Sequence, residues 1–450
     1  MQSQKLYIYI FLFLLLASAF PIPYISMLSI GIFLFALYLF INKLGKTIPL
    51  KELAFLVASI QLLLSSFLAF YIQDPDKAFL PKIPPEDYFY YAVPGIILYA
   101  LGLFTFDFDI STTIINTRLS LYDKQKIAKQ FIGIGYLGVV ITPFAPGGLS
   151  YFFTLLIFLS YIGGIIVLLD QNSLEQKTFW VILAFLPVLR DAFFSGVFFL
   201  ALIWVTFAFL YYMLKYNHLS FTKKFITILF AIYMTMTLDG AKKDYREIVW
   251  EDSGRNISFI ERSSLLGKLI LERLTFQNFN DENNVSARIT RANQGALVTW
   301  VMNWVPEKES YANGSTIKDA VIAAIFPRFL MPNKVKAGGK ESFERFTGQK
   351  LRGSTSMNIS LLGEGWANYG YWGGLLFMYA VGLFYSFALK KFTSLIGKYP
   401  IYFYFIPYLF IYIIKAEDDL LTPLNHIIKA SITLYFLHYL LIKKNVTVYE

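Results

Sequence analysis

The chain has no cysteine and three histidines, and only 16% of its 450 residues are Asp, Glu, Lys or Arg. Without cysteine there is no disulfide, no thiolate nucleophile and no zinc–cysteine site. His218, His426 and His438 do not pair at metal-ligand spacing, so neither a metal nor another cofactor is expected. No internal repeat, low-complexity tract or linker divides the sequence. What is present is apolar: 56% hydrophobic residues, 18% aromatic, and a mean hydropathy of +0.53. This profile belongs to an integral membrane protein, with the lipid bilayer as its first partner. Forty-five Phe and 31 Tyr suit lipid-facing helices and interfacial belts. The net charge of +10 reads as the Lys/Arg signal of membrane topology, and no nucleic-acid partner is expected.

Apolar runs of near-membrane length fall at 6–22, 24–41, 52–72, 88–107, 130–144, 149–169, 178–189, 191–214, 225–239, 360–389, 400–415 and 424–442. The expected fold is therefore all-α, a polytopic bundle of about 12 spans. It divides into a bundle at 1–239 with about nine spans, a loop at 240–359 and three C-terminal spans at 360–450. Lys5, the apolar run from Leu6 to Leu16 and Ala17-Ser18-Ala19 imitate a signal peptide. The second apolar span that follows reads instead as an uncleaved first helix turning at Pro21 and Pro23. Lys43, Lys46 and Lys51, then Lys124, Lys126 and Lys129, then Lys390, Lys391 and Lys398 fall in one set of loops. Positive-inside logic puts these loops and both termini in the cytoplasm and the 240–359 loop outside. That loop has helical periodicity at 257–276, 286–304 and 316–326, the last ended by Pro327. Gly338, Gly339, Gly348 and Gly353 mark turns.

Residues 326–374 are basic and glycine-rich where the loop returns to the membrane. Arginine's planar fork matches two phosphate oxygens, so an external arginine cluster at membrane level suggests an anionic lipid headgroup, and a pyrophosphate fits. Most such arginines are simply solvated or paired with nearby acids. Four stand out. Arg190 lies between two apolar runs beside Asp191, Arg246 follows a span, Arg328 sits between Pro327 and Phe329, and Arg352 precedes the approach to the membrane. Glu364, in LLGEGWANYG, is the sharpest acid. Two readings stay open for it: a general base or arginine partner, or a helix-end acid complementing the dipole. The neighbouring glycines read as close helix packing. Glu417, Asp418 and Asp419 have Lys415 and Lys429 near enough to neutralise them. His426 reads as either a hydrogen-bonded packing residue or a substrate contact.

The strings FPRF, PNKVK, GSTSMNIS and LLGEGWANYGYWG, with KKDYREIVW after the ninth span, resemble the Wzy-type O-antigen and oligosaccharide repeat-unit polymerases. So does the plan of many spans with one large external loop before the last three. Gly365 departs from the pattern, which favours a larger residue there. The resemblance implies a membrane-embedded, metal-independent glycosyltransferase in the bacterial inner membrane, acting in O-antigen (lipopolysaccharide), capsule or exopolysaccharide synthesis. Its substrate would be an oligosaccharide linked to a polyprenyl (undecaprenyl) pyrophosphate, and its partners a chain-length regulator and a flippase. It implies catalytic roles for Glu364, Arg328 and Arg352, and substrate contacts from Arg190, Arg246, Lys334, Lys336, Asn368, Tyr369 and His426. An O-antigen ligase shares the chemistry, a lipid-linked oligosaccharide flippase is the transporter alternative, and a structural subunit of an export complex would need none of these side chains.

Overall fold

The computed structural model describes residues 21–72, 79–107, 123–146, 149–169, 174–195, 198–215, 219–251, 258–273, 289, 292–328, 330–351, 353 and 355–443. Among them there are helices and turns but no strand. Five helices are long and apolar enough to cross a membrane, consistent with a membrane protein. These are α1 (Tyr24–Lys43), α2 (Leu50–Tyr71), the segment Lys124–Phe144 built on α4 (Lys124–Ile141), α5 (Ser150–Leu169) and α13 (Ser360–Lys398). Between α2 and α4 lies α3 (Pro85–Leu103), whose Pro85-Glu86-Asp87 start makes it more polar.

The other expected segments are helical but shorter or more polar. α6 (Leu174–Ser195) runs straight through Arg190, so the break comes before α7 (Phe199–Lys215) rather than at 190. α8 (Phe221–Glu251) continues past the expected exit at 239, carrying KKDYRE as helix. The segment Pro400–Ile414 holds a short α14 (Ile406–Phe410) between two 3-10 turns, and α15 (Leu421–Leu437) follows. The first expected span, at 6–22, lies almost wholly outside the described residues.

The long loop contributes α9 (Phe259–Arg273), α10 (Gln294–Trp304), α11 (Ser315–Ile325) and α12 (Lys340–Thr347). α11 ends where the residue before Pro327 must leave the helical region, and Phe326 has ψ 132. α12 begins after Gly339 and ends before Gly348, both left-handed. This part has its own core: Leu297, Val301 and Val305 pack with Phe343, Phe346 and Ile359. Trp300 stacks on Phe79 at 5.9 Å and donates to the Leu80 carbonyl at 2.8 Å, tying α10 to the α2–α3 connection.

Small residues set the closest crossings, as expected where lipid supplies no hydrophobic contrast. A methyl group at Gly102 of α3 would collide with the α13 backbone at Tyr379, and one at Gly382 with α3 at Tyr99. Gly135 and Gly163 do the same for α4 and α5.

Candidate functional site

Glu364 does not sit on a straight membrane helix. α13 is broken at Gly370, whose φ of 65° and ψ of −151° are open only to glycine. Gly365 and Gly374 would be about 13 Å apart along one helix. Instead a Cβ on Gly365 would meet the Gly374 carbonyl oxygen at 3.1 Å. The ten residues before the break therefore fold back on the long segment after it. The break frees backbone acceptors: the carbonyls of Ala367 and Asn368 accept from the N–H groups of Ala312 and Asn313 at 2.9 and 3.1 Å.

Both oxygens of Glu364 are engaged, and the side chain is only 3% exposed. One accepts from the Thr316 hydroxyl at 2.7 Å and the other from the Leu420 N–H at 2.8 Å. Asn368, wholly buried, completes the joint. Its amide donates to Thr316 Oγ1 at 2.8 Å and to the Glu364 carbonyl at 2.9 Å, and its Oδ1 accepts from the Gly314 N–H at 3.0 Å. Glu364 and Asn368 thus tie the first turn of α11 to the residue that precedes α15. Tyr369 is half-exposed, with its hydroxyl end against Gly314.

Next to this joint lies the acidic turn 417–419. Lys415 reaches Glu417 and Asp418, each at 2.9 Å. Burial works against the Lys415 charge, but the two carboxylates outweigh it and hold the amine above the ordinary lysine value. Burial pushes the Asp418 carboxyl up to about 6, opposed by Lys415. Asp418 Oδ1 also accepts from Asn358 at 2.8 Å, while its Oδ2 is buried without a partner among the described residues. Among the described residues no group of three His, Asp or Glu side chains is placed to hold a metal.

The cations gather elsewhere. α11 and α15 pack side by side with their N-termini together. Toward the C-terminal end of α11 a cavity of about 290 Å³ opens between them. Arg328, Lys334, Lys429 and Asn425 line it with Tyr151 and Phe326, and no acid does among the described residues. Lys334 donates to the Ala323 and Phe326 carbonyls, capping α11 where its dipole is negative. Burial first, and the nearby Arg328 second, push its amine below the usual lysine value. Lys429 stands 5.0 Å from the centre of the Tyr151 ring and makes no ion pair among the described residues. Asn425 Oδ1 is buried without a partner among the described residues. The cavity lies along α11 from Thr316, roughly 15 Å at 1.5 Å per residue.

His426 is buried and hydrogen-bonded at both ring nitrogens. The Tyr151 hydroxyl meets Nδ1 at 2.6 Å and Nε2 faces the Tyr408 carbonyl at 2.8 Å. That pattern fits a neutral ring donating from Nε2. Its contribution to the cavity is indirect, through Tyr151.

Arg190, Arg246 and Lys336 are not among the residues that line this cavity. Arg190 is exposed on α6 and shares the Phe194 ring with Arg262, at 5.6 and 4.8 Å. Arg246 is half-buried on α8, next to Tyr245, whose hydroxyl donates to the Phe193 carbonyl. Lys336 is exposed between two lining residues, and Arg352 lies outside the described residues. Lys429, Asn425 and Thr316 were missed by the sequence reading. For Lys429 the signal existed, a charge in the apolar run LNHIIKASITLYFL, but it was assigned to the acidic turn, whose lysine in the structure is Lys415 alone. For Thr316 there was no signal. The chain matches no protein-family model, no curated protein and no solved structure.

Proposed function

We propose that the chain is a membrane-embedded glycosyltransferase that polymerises oligosaccharide repeat units carried on a polyprenyl pyrophosphate. The observation that carries this reading is the acid-free cavity of Arg328, Lys334 and Lys429. Three cations round a small pocket suit a diphosphate, and Arg328 supplies the bidentate fork that fits two phosphate oxygens. The resemblance of residues 326–374 to the Wzy-type polymerases agrees, since FPRF and PNKVK contribute Arg328 and Lys334 to that pocket.

The donor already has a good leaving group. As the bond from the anomeric carbon to the pyrophosphate oxygen breaks, negative charge grows on the diphosphate, and fixed cations stabilise it without reorganising. The acceptor hydroxyl attacks the anomeric carbon, and its proton passes to the departing pyrophosphate oxygen. Glu364 serves this scheme by bracing α11 against α15, which fixes the spacing of the walls that carry Arg328 and Lys429. The matching topology has about 12 spans, cytoplasmic termini and the 240–359 loop on the outer face of a bacterial inner membrane.

The test is the surface glycan of a strain lacking the gene, rescued by wild-type or Arg328→Lys protein. Glycans capped at a single repeat unit, restored by wild type and not by the Lys variant, are the expected result. Loss of all surface glycan would point to a ligase or flippase, and an unchanged pattern would end the proposal.

A further inference from the structure

The roomiest of the cavities described, about 540 Å³, lies at the other end of the sequence's logic, between α1, α2 and α3. Its size falls within the roughly 300–1,000 Å³ of ligand pockets. Along most of its length the lining is apolar: Ile32, Phe35 and Leu39 from α1 face Ile97 and Leu101 from α3. Phe35 and Leu101 are also half-exposed on the outside of the helices, as are their neighbours Leu34 and Tyr38. The trough is therefore open sideways, in the direction where lipid would lie against α1 and α3.

One end of the trough is charged. Lys43 closes the last turn of α1, and Lys51 and Glu52 occupy the first turn of α2. Lys51 is 7% exposed. Its amine donates to the Phe106 carbonyl at 3.0 Å, lies 5.2 Å from the centre of the Phe104 ring and reaches Asp107 at 4.0 Å. Asp107 itself is fully solvated, so that ion pair is weak. Glu52 is 8% exposed, and its carboxylate accepts no hydrogen bond from another described residue. Lys51, directly before it, and Lys43 act on it electrostatically as counter-charges. Its own backbone N–H is the donor it has among the described residues, and a buried carboxylate so sparsely supplied is costly. An apolar trough that ends in two lysine amines and two carboxylates, the buried Glu52 and the solvated Asp107, is complementary to a molecule with an acyl chain, a phosphate and an ammonium.

We infer that this trough is a binding site for a phospholipid with a primary-amine headgroup, of the phosphatidylethanolamine type. One acyl chain lies along Phe35, Leu39, Ile97 and Leu101, the phosphate sits between Lys43 and Lys51, and the ammonium donates to Glu52. Lys43, Lys46 and Lys51 belong to a short basic loop, so the lipid comes from the cytoplasmic leaflet. The site stands apart from the cavity at Arg328 and does not depend on its function.

The test is lipid retention. The full-length protein is stripped of lipid in detergent, offered phosphatidylethanolamine, phosphatidylglycerol or phosphatidylcholine of identical chains, and read by native mass spectrometry. Phosphatidylethanolamine should be retained over the other two by about tenfold, the worth of one charge-assisted hydrogen bond. Glu52→Gln should erase that preference while leaving phosphatidylglycerol binding in place. Leu101→Trp, at a half-exposed position that tolerates bulk, should fill the trough and remove retention of all three without touching a charge. Retention of phosphatidylglycerol or phosphatidylcholine equal to phosphatidylethanolamine overturns the assignment. So does a preference that survives Glu52→Gln, or retention that survives Leu101→Trp.

Discussion

Lys51 and Lys429 are both lysines on apolar helices, and they end in opposite circumstances. Lys51 hands its protons to the Phe106 carbonyl and has Asp107 at 4.0 Å, so the protein supplies its partners. Lys429 has an aromatic ring beside it, Arg328 and Lys334 around the same cavity, and no acid on the lining among the described residues. Collecting like charges in one small pocket raises the energy of the empty protein, because each cation loses water and gains a repulsive neighbour. A bound anion would relieve that repulsion. The comparison separates a lysine that the fold supplies with a carbonyl from one whose cavity wall carries no acid among the described residues, and it does so by what surrounds the ammonium.

The strongest way to break this distinction is to remove the ammonium at each place. Lys429→Met should lower single-turnover glycosyl transfer by about 10²–10³-fold, the usual cost of deleting one charge-stabilising donor, with the unfolding temperature unchanged or raised as repulsion falls. Lys51→Met should instead lower the unfolding temperature, because the Phe106 carbonyl is left without its donor. Transfer measured on purified protein and unfolding followed by intrinsic fluorescence decide the matter. If Lys429→Met transfers normally, the cavity is not the site.

Glu364 tests the same division for an acid. With both oxygens accepting and the side chain buried, Glu364→Gln replaces one acceptor by an N–H₂ that faces the Leu420 N–H or the Thr316 hydroxyl. The expected cost is about 1–3 kcal/mol of stability, with turnover within tenfold of wild type at a permissive temperature. A loss of turnover of about 10²–10⁴-fold at unchanged stability would return Glu364 to the role of general base.

The two cavities should also lie on opposite faces of the membrane. The absence of native cysteine makes this easy to read. Ser310→Cys, exposed next to Tyr311, should react with an impermeant maleimide in intact spheroplasts, whereas Lys46→Cys should react only after lysis. The reverse pattern would invert the topology and move the aminophospholipid site to the other leaflet.

Much of this was legible from the residues. α11 was expected at 316–326 and is found at Ser315–Ile325, because Gly314 and Pro327 punctuate it on either side. The burial of Glu364 was legible from its apolar neighbours. The break at Gly370 was not, since a run of glycines signals close packing and a left-handed hinge equally well. The partners of Glu364 were hidden for a different reason: Thr316 and Leu420 lie 48 and 56 residues away. No local pattern encodes a contact of that range. The arginines were grouped by type along the chain, yet the fold sends Arg190 to Phe194 beside Arg262 and leaves Arg328 with two lysines.

The last expected effect concerns the acidic turn, where the cation is matched. Asp418 has its carboxyl raised to about 6 from an ordinary value of 3.8, through burial against the pull of Lys415. An acid whose pKa is higher in the folded protein binds its proton more tightly there. Its stabilising contribution is therefore complete below about pH 4 and is lost as pH rises through about 6. Lys415, held above its ordinary value, stays charged throughout this range and adds no slope. The unpartnered Oδ2 is the natural place for the proton. Wild-type protein should thus gain stability, on the order of 2–3 kcal/mol from this group, between pH 8 and pH 4. Asp418→Asn, which keeps an acceptor for Lys415 and Asn358 but cannot titrate, should flatten that part of the profile. Thermal unfolding of the two proteins at half-unit pH steps measures the difference. Parallel curves would mean that the carboxyl titrates near its ordinary value and that the turn is open to water.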